Sequence, residues 1–292
     1  MISISQLIHN STKQLEAVSE SAHLDTELLL CFILKKDRSF LRAWPEHQLD
    51  EQQANSFQQL FEQRLKGHPI AHILGERGFW SLNLKVTTDT LIPRPDTERL
   101  VELALEHIPE KSQWKILDLG TGTGAIALSL AKERHYSFVT ATDQSIAALN
   151  IAKENAEKNN ISNIEFIQSN WFEKLAQQQF NIIVSNPPYI KENDPHLTQG
   201  DVRFEPLSGL TSGEDGLDDI RTIVKKSQKH LTKEGILLIE HGYDQADAVC
   251  YLLNKAGFAD VSNFKDYSDN PRVSIGYILS SNDQIPAESM RE

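Results

Sequence analysis

The sequence predicts an α/β fold with a mostly parallel sheet, preceded by an all-helical bundle. From residue 115 onward, short apolar runs alternate with helical patterns, which is typical of a doubly wound sheet. A glycine-rich turn joins the first of these strands to its helix. The first 74 residues instead carry only helical periodicity. Because 292 residues exceed one ordinary domain, we expect two domains.

The helical region contains two apolar faces at helical spacing, which predict a small bundle. One face consists of Leu24, Leu28, Leu29 and Ile33, and the other of Ala54, Phe57, Leu60, Phe61 and Leu65. We assign residues 1–74 to this bundle, residues 75–90 to a hairpin linker, residues 91–280 to a catalytic domain and residues 281–292 to a loose tail. Near the C-terminus, two strands around a turn at 269–271 predict an antiparallel sheet edge.

The glycine-rich turn predicts a nucleotide cofactor. The strand 115–117 continues into Asp-Leu-Gly-Thr-Gly-Thr-Gly at 118–124, before a helix at 125–132. Alternate glycines let the backbone approach a ligand, and the helix start offers free N–H groups. The spacing departs from the dinucleotide fingerprint, and Asp118 stands where the methionine amine of S-adenosylmethionine could be met. This favours a methyltransferase over a dehydrogenase, although such a turn can also be only a tight connection.

Two further strands place more candidate residues beside this loop. Asp143 ends the strand after the loop, about 20 residues beyond the glycines, where a carboxylate can accept hydrogen bonds from both ribose hydroxyls. The strand 164–167 leads into Asn170 and Trp171. Asn170 can meet the adenine amine, and Trp171 can stack on the base or equally be a core aromatic.

Asn186, Pro187, Pro188 and Tyr189 follow a buried strand at 181–185. The lone pair of a planar amide or aromatic amine is delocalised, so such a nitrogen needs its N–H groups held before it can attack a methyl group. The Asn186 oxygen and a proline carbonyl can accept these N–H groups, and Tyr189 can cover the flat face. This pattern predicts methyl transfer to a planar nitrogen, with a simple strand-ending turn as the alternative.

Four runs together carry a family resemblance. They are Ile-Pro-Arg-Pro-Asp-Thr-Glu at 92–98, the loop at 118–124, Asn-Pro-Pro-Tyr-Ile at 186–190, and Arg-Phe-Glu-Pro at 203–206. With them the chain resembles the bacterial peptide chain release factor glutamine methyltransferases, the PrmC/HemK family, over nearly its whole length. The resemblance implies a Rossmann-like domain that transfers a methyl group from S-adenosylmethionine to the glutamine amide of the Gly-Gly-Gln motif in release factors, modulating translation termination and leaving S-adenosylhomocysteine.

The resemblance also implies roles for individual residues. It implies that the cofactor is bound by Gly120, Thr121, Gly122, Thr123, Gly124, Asp143 and Trp171. The residue pattern adds Asp118, Asn170 and Asn186 to this set. Substrate binding falls to Asn186, Pro187, Pro188 and Tyr189, with Asn186, Pro187 and Tyr189 assigned to catalysis. Asn170 departs from the family, which commonly has an acid at this position. No metal is expected.

The amino-acid composition limits the classes of partner that we expect this protein to bind. The formal net charge of −12 disfavours duplex DNA, which usually requires a basic face, and could attract a basic release factor. The chain lacks a membrane-length apolar run and a signal-like start, so we expect a cytoplasmic, monomeric enzyme without stable nucleic-acid or membrane binding. Cys31 and Cys250 are expected to be buried free thiols.

Two alternatives remain open from the sequence. An adenine-directed DNA or RNA methyltransferase uses the same Asn-Pro-Pro-Tyr site, and a non-enzymatic cofactor sensor or adaptor would keep only the pocket. The polar stretch 191–216 is too long for an ordinary connector, and we expect it, with the bundle, to grip a folded substrate.

Overall fold

The computed structural model describes residues 2–279, so the predicted loose tail at 281–292 lies outside the described residues. The chain divides into two compact units. The first takes the chain up to Glu76 with Val86–Thr88 and Pro195–Glu205, and the second takes Arg77–Lys85, Asp89–Asp194 and the described chain from Pro206 onward. These units differ from the predicted boundaries in two places. Most of the hairpin falls in the second unit, and Pro195–Glu205 groups with the bundle.

The first unit is helical, as predicted. Its helices are α1 (Ile4–Leu15), α2 (Ala22–Leu34), α3 (Arg38–Ala43), α4 (Glu51–Leu65) and α5 (Ile70–Leu74). Capping boxes at Ser3 and Asp50 satisfy free N–H groups at the starts of α1 and α4. Leu29, Phe57 and Phe61 lie in its apolar core.

The predicted apolar face of α2 is partly wrong. Leu24 is 39% exposed, whereas Asp25 in the next position is 2% exposed. Asp25 faces inward because the Nε of Arg64, on α4, donates to its Oδ2 at 2.6 Å. An ion pair in the interior therefore turns α2 away from the orientation that apolar periodicity alone predicts.

The same arginine holds the segment Pro195–Glu205 to the bundle. A second nitrogen of Arg64, Nη1, donates to Asp201 Oδ1 at 3.0 Å. The rings of His68 and Phe204 lie 4.5 Å apart, which adds an aromatic contact to the ion pair. Part of the long polar stretch at 191–216 is therefore fixed by side chains of the first unit.

The second unit is built on a seven-stranded sheet with helices on its faces. Its strands are β3 (Lys115–Leu119), β4 (Phe138–Asp143), β5 (Ile164–Gln168), β6 (Phe180–Ser185), β7 (Leu231–Glu240), β8 (Ala259–Lys265) and β9 (Pro271–Tyr277). Its helices are α6 (Glu98–His107), α7 (Ala125–Glu133), α8 (Ile146–Lys158), α9 (Asp218–Ser227) and α10 (Ala246–Ala256). A separate two-stranded sheet, β1 (Glu76–Phe79) and β2 (Leu82–Lys85), precedes them.

The strand order is β5-β4-β3-β6-β7-β9-β8. The pairs from β5 to β7 are parallel, and β9 is antiparallel to both β7 and β8, which confirms the predicted antiparallel edge. The chain passes from β3 to β4 on one side of β3, whereas β6 lies on the other side of β3. This change of direction opens a crevice at the carboxyl ends of the strands, where ligands bind in such sheets.

Apolar side chains cover both faces of this sheet. Ile116 and Leu117 are neighbours on β3 but belong to different clusters, because successive side chains of a strand point to opposite faces. Phe79 and Leu82, one from each strand of the hairpin, lie in the first of these clusters. The core is thus a three-layer arrangement that fixes the strand ends.

Three further features concern a helix start, the cysteines and helix length. A 3-10 turn, Pro95–Thr97, runs directly into α6. Cys31 and Cys250 are free, as predicted, but both are partly exposed. Within residues 2–279, no helix combines the length and apolar character that crossing a membrane requires.

Candidate active site

The glycine loop between β3 and α7 folds over the end of β4. The backbone N–H groups of Gly120 and Thr121 both donate to the Thr142 carbonyl, each at 2.9 Å. Gly124 has a φ of +84°, and a Cβ placed there would lie 3.0 Å from Leu128. The positive φ therefore favours glycine at this position, and the space beside Leu128 is narrow.

Asp143 lies at the end of β4 with its carboxylate held by the backbone. Its Oδ2 accepts the Gly122 N–H at 2.9 Å, and its Oδ1 accepts the Ser145 N–H at 2.9 Å. Burial raises the pKa of Asp143, while these backbone hydrogen bonds act in the opposite direction. These hydrogen bonds fix the loop and the acid to one another.

A pocket of about 480 Å³ opens at this edge of the sheet, within the size range of small-molecule sites. Seven predicted site residues line it: Gly120, Gly122, Asp143, Asn170, Trp171, Asn186 and Pro188. All of them belong to the second unit. Residues separated by up to 68 positions in sequence therefore share one wall, because parallel strands end at the same edge.

The other predicted site residues lie outside this lining. They are Asp118, Thr121, Thr123, Gly124, Pro187 and Tyr189. Asp118 is fully buried, and its Oδ2 accepts from the Thr121 hydroxyl at 2.7 Å. Its Oδ1 has no hydrogen-bond partner among the residues that the structure describes. Burial raises the pKa of Asp118 to about 7.

Tyr189 packs against the second core cluster. Its backbone carbonyl accepts from the Gln245 side chain at 3.0 Å, which anchors the chain just after the two prolines. Burial, with the nearby Glu240 carboxylate, raises the pKa of the Tyr189 hydroxyl, so this side chain is neutral at physiological pH.

Trp171 lies both against the core and at the pocket. Its ring packs against the second core cluster and also lines the pocket. The indole N–H donates to Asp219 Oδ1 at 3.1 Å, and Asp219 Oδ2 accepts from Ser212 at 2.8 Å. Asn170, by contrast, is exposed, with its amide donating to Glu173 at 3.4 Å. The indole is therefore a fixed wall of the pocket, and the asparagine belongs to its rim.

Sequence reasoning missed three side chains that support the site. Asp219 lines the pocket, while Thr97 and Glu240 are buried next to Asn186. The Asn186 Nδ2 donates to the Thr97 hydroxyl at 3.2 Å, and that hydroxyl donates to Glu240 Oε1 at 3.2 Å. One signal could have found Glu240, since it directly follows an apolar strand in the same way as Asn186. Thr97 carries no comparable signal.

Comparison with known proteins identifies the class of this fold. The profile of the Methyltransferase small domain matches residues 98–201, and the profile of the PrmC N-terminal domain matches residues 6–75. A methyltransferase from Pyrococcus furiosus shares the fold with a TM-score of 0.52 at 19% identity, over 75% of this chain and 98% of its own. The second unit is therefore a Rossmann-like methyltransferase domain, which confirms the predicted fold class.

Curated relatives define the family more narrowly. The release factor glutamine methyltransferase of Aliivibrio fischeri is 45% identical over 96% of this chain and 99% of its own length. Those of Escherichia coli and Pseudomonas aeruginosa are 49% and 51% identical, over 92% and 88% of this chain and 96% and 93% of their own lengths. The chain belongs to the release factor glutamine methyltransferase family, as its sequence motifs predicted.

Proposed function

We propose that this enzyme transfers a methyl group from S-adenosylmethionine to the side-chain amide nitrogen of the glutamine in the Gly-Gly-Gln motif of peptide chain release factors. One observation carries the proposal. Asn186 and Pro188 line the same pocket as Asp143 and the glycine loop, so an amide held at Asn186 would lie beside a cofactor held at Asp143. Family membership supplies the substrate class.

The pocket residues fit this cofactor. The Asp143 carboxylate keeps acceptor capacity for two ribose hydroxyls, because each oxygen receives only one of the N–H bonds described above. The Trp171 ring offers a stacking surface for adenine, and the Asn170 amide at the rim offers a polar group for its exocyclic amine. The orphaned Oδ1 of Asp118 belongs to the loop that would face the methionine amine. The cofactor supplies an electrophilic methyl group on its sulfonium sulfur.

Asn186, Pro187 and Tyr189 would prepare the nucleophile. The Asn186 oxygen and the carbonyl of a proline accept the two N–H groups of the glutamine amide, which fixes the nitrogen and directs its lone pair. Such fixed dipoles stabilise the developing positive charge without reorganising during the reaction. The neutral Tyr189 ring covers the planar group. Positioning and electrostatics thus carry the reaction, and no metal is needed.

The remainder of the chain would serve recognition. A single glutamine needs little surface, whereas the helical unit and the segment Pro195–Glu205 that it holds supply much more. We infer that the enzyme acts as a monomer on the folded release factor, using contacts remote from the amide to hold it. Its net charge of −12 supports a basic protein partner rather than nucleic acid.

A product assay tests the proposal. The enzyme is incubated with isotopically labelled S-adenosylmethionine and either intact release factor, a short Gly-Gly-Gln peptide or DNA, and the label is located by mass spectrometry. We expect methylation of the glutamine in intact release factor, with a much lower kcat/KM for the peptide. Label on adenine alone would establish the nucleic-acid alternative, and equal kcat/KM for peptide and protein would remove the recognition role of the bundle.

A matched pair of variants tests the role of Asn186. Asn186→Ala should lower turnover by about a hundredfold or more, as for the loss of an electrostatic positioning group, and should leave cofactor affinity largely intact. Asn254→Ala changes an exposed asparagine on α10 and serves as the control. Turnover of Asn186→Ala near that of the control would exclude the amide clamp.

A further inference from the structure

Asn186 and Glu240 are brought together by strand register. β6 and β7 are parallel, with Ser185 opposite Ile239, so the residues that follow these two lie side by side at the carboxyl edge of the sheet. Glu240 is 1% exposed and Thr97 is 4% exposed. Neither belongs to the pocket lining, whereas Asn186 does. Thr97 and Glu240 can therefore act on a bound ligand only indirectly, and Asn186 is the lining residue to which their hydrogen bonds lead.

The hydrogen bonds among these three side chains have a fixed direction. A threonine hydroxyl has one proton to donate and lone pairs to accept with. The Glu240 carboxylate only accepts, so the Thr97 hydroxyl donates its hydrogen bond to Glu240 and acts as an acceptor toward Asn186. The Asn186 amide must then present its NH₂ to Thr97. A rotated amide would place its oxygen against lone pairs, with no proton between the two atoms.

The direction of these hydrogen bonds does not depend on the charge of Glu240. Burial raises the pKa of Glu240 to about 7, against hydrogen bonds from Thr97 and Asn186 that act in the opposite direction. The charges facing it are Arg272 and Asp96, with the Tyr189 hydroxyl also nearby. Its Oε2 is buried without a hydrogen-bond partner in the described part of the chain. A proton on Oε2 leaves Oε1 as an acceptor for Thr97. The chain from Asn186 to Glu240 therefore keeps its polarity in both protonation states.

We propose that Thr97 and Glu240 are positioning residues that orient the Asn186 carboxamide, so that its NH₂ is occupied by Thr97 and its oxygen is presented to an N–H group of the substrate. The proposal rests on the methyl transfer proposed above and deepens it. An oxygen at this position accepts the N–H of an amide, whereas an NH₂ group would repel it. Asn186 alone has two nearly isosteric orientations, and the buried pair selects the productive one.

Kinetics of paired variants test this role. Thr97→Val keeps the shape and removes the hydroxyl, and it should lower kcat about tenfold to a hundredfold, the usual cost of losing a supporting hydrogen bond to a site residue. Cofactor affinity should stay unchanged. Thr97→Ser should restore most of the activity. Thr140→Val, which removes a buried hydroxyl bonded to Glu165 at 2.8 Å, is the matched control and should retain full activity.

A double-mutant cycle separates positioning from structural damage. If Thr97 acts through Asn186, Thr97→Val should have little further effect in an Asn186→Ala background. Multiplicative losses, or a Thr97→Val rate equal to wild type, would overturn the proposal. Glu240→Met gives a second variant, since it keeps a similar length and removes the acceptor that fixes the direction of the Thr97 hydroxyl. A kcat for Glu240→Met equal to wild type would also contradict the proposed role.

A spectroscopic measurement keeps the test independent of the substrate. With ¹⁵N-labelled asparagine, the Asn186 side-chain signal is assigned by its loss in Asn186→Ala. Exchange of its Nδ2 protons with solvent should become at least about tenfold faster in Thr97→Val, because the acceptor that protects them is gone. Equal exchange in the two proteins would refute the orientation even if release factor is methylated. Faster exchange would support the orientation even if the product assay fails.

Discussion

Asp25 in the helical unit and Glu240 in the methyltransferase unit are both carboxylates that are at most 2% exposed, but their surroundings differ. Both Asp25 oxygens are satisfied, by Arg64 and Ser19 on Oδ2 and by Ser21 on Oδ1. Glu240 has one bonded oxygen, and Asp118 shares this incomplete pairing. The helical unit thus uses a buried charge for structure, whereas the methyltransferase unit retains buried carboxylates at the cost of stability.

The largest effect on stability should follow from breaking the satisfied network, that is, the bonds of Asp25 with Arg64, Ser19 and Ser21. Arg64→Ala leaves Asp25 buried without its countercharge, which should lower the free energy of unfolding of the helical unit by about 3 to 5 kcal/mol. Chemical denaturation followed by circular dichroism measures this loss. Arg221→Ala, which removes an exposed pair with Asp215, is the control and should change stability by less than about 1 kcal/mol. Similar losses in the two variants would show that the buried network is not special.

Glu240→Gln should instead raise the free energy of unfolding. The folded pKa of Glu240 is about 7, above the ordinary value of 4.5, so the folded state binds its proton more tightly than the unfolded state. The contribution of Glu240 to the stability of the wild type is fully present below pH 4.5 and is lost as the pH rises through 7. The glutamine variant should therefore be more stable above pH 7, by up to about 3 kcal/mol, with the advantage shrinking toward pH 4.5.

Thermal unfolding of the cofactor-free protein at several pH values measures this difference. A glutamine variant that is less stable than wild type at pH 8 would show that ionised Glu240 is a net stabilising partner of Arg272. In that case the contrast between Asp25 and Glu240 would fail.

Asp143 is intermediate between Asp25 and Glu240. Each of its oxygens accepts a backbone N–H, as in a fully bonded carboxylate, but it also lines the pocket. Asp143→Ala should weaken S-adenosylmethionine binding by about 1 to 3 kcal/mol, the size expected for losing charged hydrogen bonds. Isothermal titration calorimetry provides the affinity. Asp269→Ala, at an exposed carboxylate paired with Lys265, should bind as wild type does. Unchanged affinity in Asp143→Ala would remove this residue from the cofactor site.

The smallest effect concerns a neutral donor of the satisfied network. Ser19 donates to Asp25 Oδ2 at 2.7 Å, beside the Arg64 bond. Ser19→Ala removes this hydrogen bond and the one that the Ser19 hydroxyl accepts from the Ser21 N–H at 3.1 Å, but it keeps the countercharge. Stability should therefore fall by about 1 to 2 kcal/mol. A loss as large as that of Arg64→Ala would mean that hydrogen bonding, rather than charge, holds Asp25 in the interior.

The local pattern predicted much of the methyltransferase unit. Strands such as β3 and β6 are apolar on both faces, and the glycine loop and Asp143 follow strand ends in sequence. In a parallel sheet these ends meet at one edge, so their common pocket follows from chain order. Asp118, Thr121 and Tyr189 were predicted with them, yet do not belong to the pocket lining, because a motif specifies a turn without specifying which side chains face inward.

The sequence by itself determined the helical and α/β regions, the antiparallel edge, the family and the residues that end the central strands, because each depends on local periodicity or on a contiguous motif. Only the tertiary structure decided that Asp25 faces inward toward Arg64, that Pro195–Glu205 is held by the bundle, and that Thr97 and Glu240 meet Asn186. These contacts join residues 39 to 143 positions apart. Such polar pairings have no period, so they are fixed only when folding brings the partners together and removes water from them.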